Sequence, residues 1–150
     1  EWSMAAYLSR ELGSTPAERS LRIEGIYPWG FTWPPPGKSG NFSDKAADPT
    51  GKKAIAGYSD GFAEASPVGS FRADGRGLFD LSGNVWEWVA DSWKDMPDQG
   101  VLRGGAFTTV ERQELLASYR RQATAADRHP DAGFRVLLWN IGQSARADED

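Results

Sequence analysis

Apolar residues follow a helical period at the start of the chain and alternate with polar ones in its second half. A long aperiodic stretch separates the two regimes. Trp2, Ala5, Leu8 and Leu12 lie three or four residues apart, which predicts an amphipathic helix, and Gly13 sits where it would end. Thr15-Pro16-Ala17-Glu18 combines a capping box with proline at the first helical position and predicts a short second helix. From Ile26 to Gly61 the period fades. Trp33-Pro34-Pro35-Pro36-Gly37 reads as a stiff extended run, and Gly40 to Gly57 as a long ordered loop. Beyond this, Pro67 to Phe71 reads as a short strand or edge, and Val85 to Val89 as a half-buried strand. Val101 to Phe107, Leu115 to Arg120 and Phe134 to Trp139 are further strand candidates. Gln143 to Asp150 is polar and reads as a frayed tail.

Composition narrows the function classes. Seven tryptophans and 17 glycines in 150 residues point to a loop-rich fold held by large aromatics. The formal charge of -4 leaves no basic stripe for phosphates, which argues against a nucleic-acid binder. No apolar run approaches the roughly 20 residues of a spanning helix. Cysteine is absent, so disulfides, thiolate metal sites and cysteine nucleophiles are excluded, while every compartment stays open.

The densest chemistry lies in Gly77-Leu78-Phe79-Asp80-Leu81-Ser82-Gly83-Asn84-Val85-Trp86-Glu87-Trp88, where turn residues and two acids lead into an aromatic strand. Two carboxylates seven residues apart, with glycine and asparagine between them, can fold onto one point. Either they share a hard cation, or Asp80 caps a turn while Glu87 pairs with an arginine such as Arg103 or Arg135.

Read in order, Glu1-Trp2 with Ala5-Ala6, Tyr27-Pro28-Trp29-Gly30, Asn41-Phe42, Asp60-Gly61-Phe62, Pro67 to Phe71, Gly83 to Trp88, Arg103 to Phe107, Tyr119-Arg120 and Gly133-Phe134-Arg135 resemble the formylglycine-generating-enzyme (sulfatase-modifying factor) family. The resemblance implies an α+β, irregular, C-type-lectin-like domain over residues 1–142, with short, mostly antiparallel strands and an N-terminal helix. It also implies that the leading part of the family domain is missing before Glu1, as in a fragment, a domain completed by another chain, or a trimmed one. Carried over by position, it implies one structural calcium ion on the Asp80 and Glu87 carboxylates with the Gly83 and Val85 carbonyls. A second ion would use the Asn41 and Asp60 side chains with the Phe42 and Phe62 carbonyls. Calcium takes about six to eight oxygen ligands, and these types suit it.

The family's oxidase chemistry needs two copper-binding cysteines. The first position corresponds to Thr109 and the second to the Glu114–Leu116 region, so no copper site is expected. The lone histidine, His129, cannot build a multi-histidine iron site and reads as a surface residue. Glu111, Glu114 and Asp127 read as solvated acids rather than as bases. The leading expectation is therefore a non-catalytic, calcium-stabilised ligand- or protein-binding or regulatory domain, of the kind that bacteria fuse to Ser/Thr kinases. The alternative is an oxidoreductase of the same superfamily, sulfoxide-synthase-like or siderophore-maturation-like, with catalytic residues upstream. A third reading is the variable binding protein of a diversity-generating retroelement. Tyr119, Arg120 and Arg121, with the loop tryptophans Trp29 and Trp33, are the candidate contacts to a peptide, protein or small-molecule ligand.

Overall fold

A computed structural model describes residues 1–138. Four strands form one sheet in the order β3-β2-β1-β4. Strand β1 (Trp86–Ser92) pairs antiparallel with β2 (Gln99–Arg103), placing Glu87 opposite Arg103 and Trp88 opposite Leu102. Strand β3 (Arg121–Thr124) continues antiparallel on β2, whereas β4 (Ala132–Phe134) lies parallel to β1. Among the described residues, helices are limited to α1 (Trp2–Ala5), α2 (Pro16–Arg19) and two short 3-10 turns. The α+β, mostly antiparallel reading therefore stands. No described helix is long and apolar enough to cross a membrane.

Three small cores replace one large one. Trp86, Leu102, Ala106 and Ala123 pack on the sheet. Ala6, Leu8, Leu81 and Ala117 fix the N-terminal segment. Tyr27, Phe42, Ile55, Tyr58, Leu115 and Leu116 hold the long loops together. Within this third core Tyr27 and Trp29 stack at 4.8 Å, and Phe42 and Tyr58 lie at 5.5 Å. Aromatic rings supply the buried area that short strands lack.

The capping box of α2 forms as its sequence predicts: Glu18 N–H donates to Thr15 Oγ1 at 3.3 Å and Thr15 N–H to Glu18 Oε2 at 3.4 Å. The first helix is shorter than its period predicts. It stops at Ala5, Tyr7 turns left-handed at φ 61°, and Leu12 is exposed. Leaving the helix lets the following chain carry Glu11 to Arg120, a pairing at 2.7 Å. Pro67 to Phe71 is a turn rather than a strand, closed by Ser70 N–H onto Pro67 C=O. Leu115 to Arg120 is not a strand either. Leu115, Leu116, Ala117 and Ser118 are all buried, so the alternation of a half-buried strand is missing, and the segment fills space between loops. The second strand ends at Arg103 because Gly104 and Gly105 take φ 93° and 80°, outside the extended region. Strand β4 ends at Phe134; Trp139 and the 143–150 tail lie outside the described residues.

Candidate functional site

Asp80, Gly83, Val85 and Glu87 line one cavity of about 350 Å³, together with Arg135. The loop reaches this shape through two left-handed residues, Asp80 at φ 53° and Asn84 at φ 64°, with Gly83 at φ 75° between them. Gly83 is required on packing grounds as well, since a Cβ there would lie 2.3 Å from the Asn41 carbonyl oxygen. Asp80 Oδ2 accepts from Gly69 N–H at 2.6 Å, and Oδ1 is buried without a hydrogen-bond partner among the described residues. Among those residues the Gly83 and Val85 carbonyls also accept no backbone hydrogen bond. Buried acceptors are normally satisfied, and Asp80 Oδ1 is an exception among the described residues.

Glu87 is buried at the floor of the cavity, with both oxygens engaged. Its Oε2 accepts from Trp2 Nε1 at 2.9 Å, and its Oε1 accepts from Arg135 Nε and Nη2 at 3.0 and 2.5 Å. The same guanidinium donates to the Phe79 and Asp80 carbonyls at 3.0 and 3.2 Å. The pairing of Glu87 with Arg135, one of the two roles open to it in the sequence, is therefore formed. The other half of that reading forms too, since Asp80 Oδ2 accepts from Gly69 N–H in the Pro67–Ser70 turn, and the four carried-over positions share the lining of the cavity.

Asp60 reaches the backbone next to Asn41. Asp60 bridges two backbones, accepting from Phe42 N–H at 2.8 Å on Oδ2 and from Phe62 N–H at 2.9 Å on Oδ1. Asn41 is fully buried; its amide donates to Glu64 C=O at 2.8 Å, while Oδ1 has no partner. Burial raises the Asp60 carboxyl above its ordinary value, and the Asp44 charge adds to this against the two N–H bonds. Both Asp60 oxygens already accept backbone N–H groups, so the unsatisfied oxygen of this set is Asn41 Oδ1. The Phe42 and Phe62 carbonyls accept no backbone hydrogen bond from the described residues.

Asn84 joins these places and Asp44 braces the second; the sequence motifs assigned neither side chain a role. Asn84 Oδ1 accepts from Ser66 N–H at 2.8 Å and Asn41 Nδ2 at 3.3 Å, and Asn84 N–H donates to Asn41 C=O at 2.8 Å. Asp44, fully buried, accepts from the N–H groups of Ala46, Asp60 and Gly61 and from Ser59 Oγ. Burial acts to raise its carboxyl, and these donors outweigh that and hold it below its ordinary value. An Asx-turn signal at Asp44-Lys45-Ala46 was available in the sequence.

The candidate ligand residues scatter. Arg120 points inward: its side chain is 2% exposed and ends on Glu11, with Nη1 and Nη2 each 2.7 Å from a carboxylate oxygen. A buried guanidinium requires such a partner. Arg103 is buried beside it, bonded to Ala117 C=O at 2.6 Å and set 4.2 Å over the Trp2 ring. Burial, and then the Arg120 charge, disfavour its protonated form. Arg121 lies over Trp86, and Tyr119 packs between two cores. Trp33 packs beneath Arg112, whereas Trp29 lines a second cavity of about 560 Å³ with Tyr7, Phe31, Lys38 and Arg72. His129, half-buried, stands 3.8 Å from Asp127.

Thr109 occupies the position carried over from the first family cysteine. It is 3% exposed, and its hydroxyl accepts from Ala106 N–H at 3.0 Å. Leu115 and Leu116, at the second position, are packed into the aromatic core.

Residues 1–140 match the family described as the sulfatase-modifying factor enzyme 1-like domain. The inactive C-alpha-formylglycine-generating enzyme 2 of Mus musculus is 35% identical over 129 residues, covering 83% of this chain and 39% of that protein. The formylglycine-generating enzyme of Streptomyces coelicolor is 50% identical over 96 residues, covering 51% of this chain and 30% of that protein. The chain thus spans well under half the length of these curated relatives. The solved structure of PvdO from Pseudomonas aeruginosa superposes with a TM-score of 0.55 at 26% identity, over 87% of this chain and 55% of that one. By the family match across nearly its whole length, the chain belongs to the sulfatase-modifying factor enzyme 1-like family, that of the formylglycine-generating enzymes.

Proposed function

We propose that this chain is a calcium-stabilised binding domain of its family that does not carry out thiol oxidation. The observation that carries this reading is the content of the cysteine positions. A hydrogen-bonded threonine stands at one, and the Glu114–Leu116 region at the other holds a carboxylate bonded by Tyr119 and two leucines of the core around Tyr27 and Phe42. Copper of the soft, reduced kind needs thiolate or thioether ligands, and a hydroxyl, a carboxylate and an aliphatic wall offer none. The inactive name of the mouse relative agrees with this reading.

The cation part of the reading is supported by the unsatisfied Asp80 Oδ1 and Asn41 Oδ1 and by the cavity that Asp80, Gly83, Val85 and Glu87 share. Asp80, Glu87 and the Gly83 and Val85 carbonyls would hold one ion, and Asn41, Asp60 and the Phe42 and Phe62 carbonyls the other. Bound calcium supplies charge neutralisation and a cross-link between loops that lack strand pairing. The ligand face of this reading is the groove of about 560 Å³, a volume typical of small-ligand sites, where Phe31 and Tyr7 are exposed beside Lys38 and Arg72.

Two measurements test the proposal on one preparation. Calcium at 100 times its dissociation constant should stabilise the chain by about 2.7 kcal/mol, read as a rise in melting temperature that chelation reverses. Copper with a cysteine-containing peptide should give no oxygen consumption above the buffer rate. Robust copper-dependent turnover, or a melting temperature indifferent to calcium, would reject the proposal.

A further inference from the structure

Trp2 belongs to the N-terminal segment, yet its indole N–H reaches Glu87 Oε2 at 2.9 Å, across 85 positions of sequence. The indole cannot swing freely. The Arg103 guanidinium lies 4.2 Å from its ring centroid, and that arginine is fixed by Ala117 C=O and by Ser3 Oγ. Ser3 Oγ also accepts from Arg120, which Glu11 grips from the other side. A connected series therefore runs from Glu11 through Arg120, Ser3, Arg103 and Trp2 to the carboxylate at the floor of the cation cavity.

We infer that Trp2 is a positioning residue for Glu87: its N–H holds one carboxylate oxygen so that the group presents its remaining lone pairs to a cation in a single orientation. Glu87 could otherwise turn about its last torsion, which is broad and two-fold for glutamate. Trp2 holds Oε2 and Arg135 holds Oε1, so the plane of the carboxylate is set before an ion arrives. Outer partners of this kind orient metal ligands, and removing one typically weakens metal affinity about 10- to 100-fold. Docking of residues 1–12 and occupancy of the cation site then become linked quantities: each strengthens the other. The inference rests on the cation reading above and adds to it a role for a residue that touches no ion.

The test is Trp2→Phe, which keeps an aromatic face over Arg103 and deletes the donor. Calcium binding to the whole chain is followed by calorimetry, and the component abolished by Glu87→Gln is identified as the Glu87 site. Trp2→Phe should weaken that component about 10-fold or more, leave any other calcium component unchanged, and add nothing in the Glu87→Gln background. If Trp2→Phe lowers the melting temperature but leaves both calcium affinities intact, Trp2 is only packing material and the inference is overturned. Absence of calcium binding by the wild-type chain overturns the cation reading and this inference together, whereas an intact wild-type response with an unaffected variant removes the inference alone. Should Trp2→Phe not fold, hydrogen exchange of the Trp2 indole proton in the wild-type chain decides. Saturating calcium should slow it several-fold, and an unchanged rate overturns the inference.

Discussion

Gly83→Ala tests the geometry of the loop junction most directly. A Cβ at this position would lie 2.3 Å from Asn41 O, 2.7 Å from Phe42 Cε1 and 2.9 Å from Asn41 N. Two of these three atoms are backbone, so no rotamer change relieves the contact. The residue also sits at φ 75°, which costs an L-residue about 1–2 kcal/mol. Forcing a methyl into a filled site costs about 1–3 kcal/mol more, for a combined loss of roughly 2–5 kcal/mol. Gly25 separates the two contributions. It has a similar φ of 72° with nothing within 4 Å of its would-be Cβ, so Gly25→Ala should cost only the backbone part of about 1–2 kcal/mol. Urea unfolding of both variants, followed by tryptophan fluorescence, gives the difference at constant m-value. The expected gap corresponds to about 4–12 °C in melting temperature at this chain length. If Gly83→Ala is no worse than Gly25→Ala, the close approach of the two loops is wrong, and with it the joining of the two candidate cation sites.

Glu11→Gln should destabilise the chain by about 3–5 kcal/mol at neutral pH, because it leaves Arg120 charged and buried. Burial acts to raise the Glu11 carboxyl, and the Arg120 and Ser3 bonds outweigh it and set it below the usual 4.5. Its contribution is therefore full above that value and is lost as pH falls through the depressed one, so the variant should show a flatter acid limb in urea midpoint against pH. Thr109→Val should cost about 1–3 kcal/mol by stranding the Ala106 N–H. Thr109→Cys should stay close to wild type in thermal melts and still consume no oxygen with copper and a thiol peptide, since the Glu114–Leu116 region offers no second thiolate. Thr15→Ala should cost about 1 kcal/mol through the lost cap of α2, measurable by chemical denaturation and independent of calcium.

What the sequence disclosed follows the range of the interactions involved. The capping box of α2 and the aromatic strand β1 are encoded within a few residues; the box formed as read, and the strand formed over Trp86–Ser92 rather than Val85–Val89 and without half-buried alternation. The helix read through Leu12 failed because a distant partner, Arg120, draws Glu11 out of the helical path. Leu115 to Arg120 failed because continuous burial in a loop core looks like a strand when neighbours are unknown. Asp80 and Glu87, seven residues apart, line the same cavity, each carboxylate bonded to partners of its own. Arg135 was one of two arginines the sequence offered to Glu87, and that pairing formed; Trp2, from the far end of the chain, was not offered by anything local. Arg120 illustrates the same limit. A tyrosine-arginine pair reads as a ligand contact until the fold shows the guanidinium pointing inward onto a carboxylate.

The parallel pairing of β4 with β1 has a bearing on how the chain comes to be folded. Glu87 leaves the ribosome 48 residues before Arg135, the guanidinium that will neutralise it. During that interval the carboxylate stays hydrated and β1 keeps an open edge where β4 will lie. Translation at about 5–20 residues per second makes this a wait of a few seconds. The four described strands can close into their sheet only after Phe134 has been made, so this sheet waits on synthesis of β4.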